Sequence, residues 1–146
     1  MSELSKRDWL LLLLRQRPLD RIRLMKALFL MWHRSGRKLE GFYEFTPYMY
    51  GPCSFDLYGE LEHLQQMHLV SQVPHSVAQW ALYYLTPVGE NEASAVQKKA
   101  DEQTVEFVRS IAREVGSLGF HALLRKVYSE APDFASRTVL SWEANQ

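Results

Sequence analysis

The chain has 146 residues, of which 47% are hydrophobic and 18 are aromatic (4 Trp, 7 Tyr and 7 Phe). This composition excludes a disordered or low-complexity chain, and the length fits one domain that buries about two-thirds of its unfolded surface. The formal net charge of zero argues against a general nucleic-acid coat, and a single cysteine with a longest apolar run of six residues predicts a cytoplasmic protein without a disulfide or a membrane span.

Two helices are predicted in the first 40 residues. Ser5 caps the first, Asp8 completes a capping box with it, and Pro18 ends the helix. Five consecutive leucines leave this helix no solvent face, so we expect it to be buried nearly all round. Asp20 caps the second helix, and Gly36 is its expected C-terminal stop.

The centre of the chain predicts a strand, a helix and a hairpin. The aromatic-rich segment 42–50 is typical of a strand or an extended segment, and Ser54 is expected to cap the helix that follows a turn at Gly51-Pro52. Residues 69–73 and 80–85 indicate two strands joined by a polar connection. Together these elements predict a winged-helix-like centre with a small β-hairpin wing.

Three further helices are predicted after the hairpin. Thr86 followed by Pro87 is a strong start for a polar, exposed helix. Asp101 caps the next helix, which Gly116 is expected to stop, and residues 118–130 form the last one.

The expected architecture is mainly α (α+β), with residues 1–146 forming a single domain. The core motif covers about residues 20–90, and the C-terminal helices cover about residues 101–132. Helices from both termini are expected to pack on the winged-helix-like centre, because no internal repeat or long linker divides the chain.

Several short motifs, taken in order, resemble one protein family. They are Leu24-x-Lys26-x-Leu28-Phe29-Leu30, Tyr50-Gly51-Pro52-x-Ser54, Leu57-x-x-x-Leu61-x-x-Leu64, Leu69-Val70, Tyr84-Leu85-Thr86-x-x-Gly89 and Val127-Tyr128-x-x-x-Pro132. The pattern resembles the Panacea (SocA-like) antitoxin domain and the related, uncharacterised bacterial YwgA-like family. The resemblance implies a mostly helical fold with a winged-helix-like centre, no cofactor, no catalytic residues, and a role in neutralising a toxin or presenting a target to other machinery.

A basic helix face is the first candidate binding surface. Residues 1–40 carry ten Lys/Arg against four Asp/Glu, whereas the rest of the chain is acidic. At about 100° per residue, one side of the second helix collects Arg23, Lys26, Arg34 and Arg37. Such a face suits an acidic protein groove or a phosphate backbone, and ordinary solvation of an outer helix face is the alternative.

The aromatic segment is the second candidate surface. Its members and near neighbours are Phe42, Tyr43, Phe45, Tyr48, Tyr50 and Tyr58. They cluster around the Gly51-Pro52 turn and would serve as a base-stacking platform or as an anchor for a partner. The alternative is that they simply fill the core and rim of a small domain.

No motif indicates catalysis, a metal or a cofactor. Glu60-x-x-His63 is half of a di-iron carboxylate signature, but the sequence contains no second copy. Cys53 precedes a predicted helix, where a thiolate would be stabilised, but no histidine is marked as its partner. The sequence therefore predicts a protein that is not an enzyme.

The favoured function is a non-catalytic regulatory or adaptor module of antitoxin-like type that binds a protein, either a toxin or regulatory machinery. The predicted contacts are Arg23, Lys26, Arg34, Arg37, Tyr48 and Tyr50. The alternative is a winged-helix, duplex-DNA-binding transcriptional regulator that acts as a homodimer. It is less favoured, because the expected recognition helix 54–67 contains three acidic residues and no Lys or Arg, and the expected wing 73–80 contains no basic residue.

Overall fold

The computed structural model describes residues 4–74 and 81–138. Within these ranges the fold is mainly helical with small antiparallel sheets, which confirms the α+β prediction. The elements in chain order are α1 (Lys6–Gln16), β1 (Leu19–Asp20), α2 (Arg21–Arg34), β2 (Thr46–Tyr48), β3 (Gly51–Cys53), α3 (Asp56–Gln66), β4 (Val70–Val73), β5 (Leu82–Leu85), α4 (Pro87–Lys99), α5 (Glu102–Ser117) and α6 (Phe120–Glu130), followed by a 3-10 turn at Pro132–Ala135.

α1 lies inside the core, as its leucines predict. The Oγ of Ser5 accepts a hydrogen bond from the amide of Asp8 (3.1 Å), and the Asp8 carboxylate accepts one from the amide of Ser5 (3.2 Å), which confirms the capping box. The leucines at 10–14 are at most 3% exposed. Burial on every side is achieved because α2, α4, α5 and β5 all pack against this helix.

α2 is a second central helix rather than an outer one. The Asp20 carboxylate caps it by accepting a hydrogen bond from the amide of Arg23 (2.9 Å), as predicted. The helix ends at Arg34, shortly before Gly36, which has a φ of +75°. Residues 24–31 are all buried, because α5 and β3 both pack against the helix.

Three strands form an antiparallel sheet in the order β1-β5-β4. The predicted hairpin is confirmed, since β4 pairs with β5 and Val70 lies opposite Leu85. β1 pairs with β5 and places Leu19 opposite Tyr83. This strand was not predicted, because two residues are too few to show an alternating pattern in the sequence. The order α2, α3, β4, β5 is what a winged-helix interpretation requires. That interpretation stays a prediction, and residues 75–80 of the expected wing lie outside the described residues.

A second sheet corrects the expectation for the segment around Gly51. We expected a strand or an extended segment over 42–50 and then a turn directly into a helix, whereas β2 pairs with β3 through a tight connection at Met49 and Tyr50. Gly51 has a φ of +89°, and a Cβ there would lie 3.1 Å from Cε1 of Tyr128. Only glycine adopts this backbone without strain, so the Tyr-Gly-Pro motif builds a hairpin.

The prediction that Ser54 caps α3 is wrong. Phe55 occupies the N-cap position with helical backbone angles (φ −69°, ψ −20°) and makes no side-chain capping bond. Ser54 is buried instead, and its Oγ has no hydrogen-bond partner among the described residues. A capping side chain needs an extended backbone at the helix start, and the hairpin does not deliver the chain in that conformation.

The predicted caps of the next two helices are confirmed. At the start of α4, the Oγ1 of Thr86 accepts a hydrogen bond from the amide of Gly89 (3.0 Å). The same hydroxyl donates to the carbonyl oxygen of His68 (2.6 Å), which joins the helix start to the chain before β4. At the start of α5, the Asp101 carboxylate accepts a hydrogen bond from the amide of Thr104 (2.7 Å).

Two expectations for these helices need correction. α4 is not exposed all round, because it packs against α1 and buries Ala93 and Val96. α5 ends at Ser117, one residue beyond Gly116, which was the predicted stop. α6 begins at Phe120, inside the predicted range.

Candidate functional site

The predicted basic face is at most partly exposed, since the side chains of Arg23, Arg34 and Arg37 are 20%, 25% and 34% exposed. Lys26 is 2% exposed. Arg23 donates hydrogen bonds to the Asp20 carboxylate (2.6 Å) and to the carbonyl oxygens of Val115 (3.1 Å) and Leu118 (2.7 Å). Arg23 therefore joins the start of α2 to the end of α5, and its guanidinium is used inside the molecule.

Arg34 is also held within the molecule. It donates to both carboxylate oxygens of Glu114 (2.8 and 3.0 Å) and to both of Glu130 (3.1 and 2.5 Å), so that it links α2 to α5 and α6. These hydrogen bonds raise the pKa of Arg34 and lower the pKa of each glutamate. The Nζ of Lys126 adds a further contact to Glu114 (3.1 Å).

Arg37 is likewise engaged by a carboxylate of the protein. It donates to both carboxylate oxygens of Asp133 (3.0 and 3.1 Å) and lies over the rings of Trp32 and Phe134. The exposed basic face is therefore wrong as a description of the surface. Helical spacing shows which residues share a side of a helix, but not which neighbours cover that side. A role of these arginines in binding a partner stays a prediction.

The other three predicted contacts meet in one pocket. Lys26, Tyr48 and Tyr50 line a cavity of about 210 Å³ between the first half of α2, the β2–β3 hairpin and the start of α3. The remaining lining residues are Arg21, Ile22, Met25, Met49, Gly51, Cys53 and Tyr58. The walls are thus mainly apolar or aromatic, and none of the lining residues is acidic.

Lys26 is the buried charge of this pocket. Its Nζ donates a hydrogen bond to the carbonyl oxygen of Pro52 (3.1 Å), the only acceptor for it within the described part of the chain. Burial lowers the pKa of Lys26 to about 8, because the ammonium loses its water, and this loss outweighs the attraction of Cys53 and Asp20. The ammonium is therefore charged at neutral pH but incompletely solvated by the protein.

An exposed aromatic surface surrounds the pocket mouth. We call it the aromatic rim, and its members are Tyr48, Met49, Tyr50, Phe55 and Tyr58. Four of them, all but Tyr48, are between 38% and 56% exposed. The rings are in contact, since the centroid of Phe55 lies 5.4 Å from that of Tyr48 and 6.1 Å from that of Tyr58. These ring contacts join Tyr48, Phe55 and Tyr58, and Met49 and Tyr50 adjoin them as lining residues of the same pocket.

Arg21 and Cys53 both lie next to Tyr58 of the rim. The guanidinium carbon of Arg21 lies 5.7 Å from the ring centroid of Tyr58, and Arg21 is exposed. The Sγ of Cys53 lies 3.9 Å from the Tyr58 hydroxyl, and burial raises the pKa of Tyr58. Two cationic groups, one at the floor and one at the mouth, therefore face an apolar cavity.

The predicted aromatic cluster divides into two sets with different environments. Phe42 and Tyr43 are buried in the core, and Phe45 packs on Phe29 with ring centroids 5.4 Å apart. Tyr48, Tyr50 and Tyr58 belong to the rim. The core interpretation thus holds for Phe42, Tyr43 and Phe45. A role of Tyr48, Tyr50 and Tyr58 in binding a partner stays a prediction.

Sequence reasoning missed several residues of the site. Arg21, Ile22 and Met25 line the pocket, but none of them was among the predicted contacts. Met49 and Phe55 were also missed, because a strand or extended segment over 42–50, followed by a turn and a helix cap at Ser54, gave no reason to place them on the surface. A tight hairpin at Met49 and Tyr50 would have been the signal, since residues at the tip of a turn are usually exposed.

The described residues form neither a metal-binding cluster nor a helix that could cross a membrane. In ranges 4–74 and 81–138, no group of three or more His, Cys, Asp or Glu side chains is placed to hold a metal ion. Over the same residues, no helix has both the length and the apolar content needed to cross a bilayer.

Comparison of this chain with protein-family models, with curated proteins and with solved structures gave no match. The resemblance to the Panacea domain therefore stays an expectation from the sequence.

Proposed function

We propose that this protein is a non-catalytic regulatory or adaptor module that binds another protein through the aromatic rim. The observation that carries the proposal is the exposure of Met49, Tyr50 and Tyr58 around one pocket, with exposed Phe55 packed against Tyr58. Large exposed apolar side chains are costly unless something covers them, and tyrosines and arginines with apolar neighbours typically provide most of the energy of a protein interface. The resemblance to antitoxin domains suggests a toxin or a regulatory complex as the partner.

Charge supports a protein partner over duplex DNA. In the winged-helix interpretation α3 would be the recognition helix, and its exposed positions include Asp56 and Glu62, with Glu60 half-buried beside them. Carboxylates repel phosphates, and three of the four arginine and lysine side chains predicted on α2 are engaged with protein carboxylates. DNA binding therefore has less support, and it is one outcome of the test below.

Site-specific photo-crosslinking tests the proposal. A benzophenone amino acid at position 55, in the rim, should crosslink a discrete partner in cells, whereas the same group at position 88 should not. Val88, on α4, is a matched control because its side chain is 55% exposed and that of Phe55 is 56% exposed.

The purified partner then allows a quantitative comparison. We expect Phe55→Ser to weaken binding by about tenfold or more, as loss of an interface anchor does, and Val88→Ser to change it less than about twofold. Equal crosslinking at both positions, or equal affinity of both variants, would contradict the proposal. Crosslinks of position 55 to nucleic acid would favour the DNA-binding alternative instead.

A further inference from the structure

We propose that the pocket beneath the aromatic rim binds one carboxylate on an apolar stem, presented by the partner protein as an acidic side chain. The inference rests on the proposed function, because it names the group with which the partner enters the site.

Charge favours an anion. The pocket holds the ammonium of Lys26 at its floor and the guanidinium of Arg21 at its mouth, and its lining contains no Asp or Glu. Asp20 lies close enough to affect Lys26, but its carboxylate is engaged by the guanidinium and the amide of Arg23. The positive charge in the pocket is therefore not neutralised at short range by the described residues.

Hydrogen bonding favours an acceptor that reaches the floor. An ammonium has three N–H donors, and the carbonyl of Pro52 accepts one from Lys26. Within the described ranges no other acceptor contacts this Nζ. Desolvating a charge without replacing its hydrogen bonds is costly, and a carboxylate would offer two oxygens to the remaining donors.

Size and shape favour a side chain over a larger ligand. A cavity of about 210 Å³ has room for one side chain, and its aromatic and aliphatic walls suit an apolar stem. Phosphate is usually held by several guanidinium or backbone N–H donors, whereas the floor here offers one ammonium. The occupant that fits is therefore the side chain of Asp or Glu, flanked on the partner by apolar residues that cover the rim.

Small probes test this inference without the partner. Backbone amide signals of Gly51 and Cys53, followed by NMR, should shift saturably when 4-phenylbutyrate is added at pH 7. A dissociation constant in about the millimolar range is expected for a ligand of this size. The neutral isostere 4-phenylbutyramide should bind about tenfold more weakly, because it lacks the charge that pairs with Lys26.

Substitutions test whether Lys26 causes the preference for the acid over the amide. Lys26→Met should abolish the preference for the acid over the amide, whereas Lys98→Met, which removes an exposed lysine of α4, should leave it unchanged. Equal binding of the acid and the amide to the unmodified protein would overturn the inference even if Lys26→Met failed to fold. Tighter binding of inorganic phosphate than of 4-phenylbutyrate would overturn it too.

The two proposals fail in different experiments. If the probes show no acid preference while position 55 still crosslinks a partner, the carboxylate pocket is wrong and the adaptor function stands. If position 55 crosslinks nothing while the probes bind as expected, the rim is not a protein interface and the pocket is an anion site of another kind.

Discussion

Lys26 is positively charged below its pKa of about 8, although its side chain is almost entirely buried. Burial of a lysine disfavours the protonated form, so the charge lowers the stability of the fold at neutral pH. A methionine of similar length would fill the same space without that cost. The presence of lysine is therefore better explained by a ligand than by the stability of the fold, which is the pattern of a functional residue.

We expect Lys26→Met to stabilise the protein at pH 7 and to change its pH dependence. The pKa of Lys26 rises from about 8 in the folded state to its ordinary value of 10.5 on unfolding. Between these values the unfolded chain binds more protons, so the free energy of unfolding of the unmodified protein should rise with pH, by on the order of 3 kcal/mol in total. Urea unfolding at pH 7 to 10 measures this.

Lys26→Met should lack this rise of the free energy of unfolding with pH, and Lys98→Met should keep it. Tyr43 and Tyr58 also have raised pKa values, but they are present in all three proteins and cancel in the comparison. An unchanged pH profile in Lys26→Met would show that Lys26 is not the group that titrates.

Close packing against Leu69 requires the glycine of the Leu85-Thr86-x-x-Gly89 motif. A Cβ at this position would lie 1.9 Å from the carbonyl oxygen of Leu69, a backbone atom that accepts the amide of Thr86 (3.0 Å). Gly89→Ala should therefore lower the free energy of unfolding by about 3 kcal/mol or more, since α4 must separate from the chain before β4. Chemical denaturation measures the loss.

Gly59, within α3, is the matched control for that substitution. A Cβ there meets nothing within 4 Å, so Gly59→Ala should raise stability by about 0.5–1 kcal/mol through its helix propensity. A similar effect of both substitutions would contradict the close approach of α4 to Leu69.

Arg34 connects three helices. It bridges Glu114 on α5 and Glu130 on α6 from the end of α2, in a half-buried position. Arg34→Met should cost about 2–3 kcal/mol at pH 7, because it leaves two carboxylates close together without their shared cation. Arg109→Met, which removes an exposed pair with Glu106, should change stability by less than about 0.5 kcal/mol.

The same cluster gives a pH dependence of opposite sign to that of Lys26. The pKa values of Glu114 and Glu130 are lowered from the ordinary value of 4.5 by their hydrogen bonds to Arg34. Their contribution is therefore present above about pH 4.5 and is lost as the pH falls through the lowered values. Acid unfolding of Arg34→Met should lose part of this dependence, and an acid profile identical to that of the unmodified protein would contradict the role of the cluster.

Local signals made most element boundaries predictable, and longer-range contacts explain the failures. Ser5, Asp20, Thr86 and Asp101 cap helices as predicted, because a cap depends on residues three or four apart. The burial of α2 depends on partners distant in sequence, such as the contact of Lys26 with Pro52. The pocket could not be predicted for the same reason, although three of its residues had been selected singly. The β2–β3 hairpin is an exception, because it pairs residues at most seven apart and its local signal at Gly51 was interpreted as a turn into a helix.

The distribution of charge over the whole molecule bears on the choice between a protein partner and duplex DNA. The neutral chain places its basic excess in residues 1–40, but folding pairs much of it with carboxylates from elsewhere, including Glu114, Glu130 and Asp133. A surface that attracts polyanions needs clustered cations that are free of such pairs. We therefore expect little non-specific affinity for duplex DNA.

Fluorescence anisotropy with a labelled duplex of random sequence, at low and physiological salt, measures that affinity. No saturable binding at micromolar protein is expected at either salt, whereas micromolar binding that weakens steeply with salt would promote the DNA-binding alternative. In that case Arg21→Ala and Lys38→Ala are the informative variants, because both side chains are exposed. Charge reversal at Arg23 or Lys26 would not be informative. It would break the internal hydrogen bonds of Arg23, and at position 26 it would bury a carboxylate beside the carbonyl oxygen of Pro52, so either change would disturb the fold before it disturbed a surface.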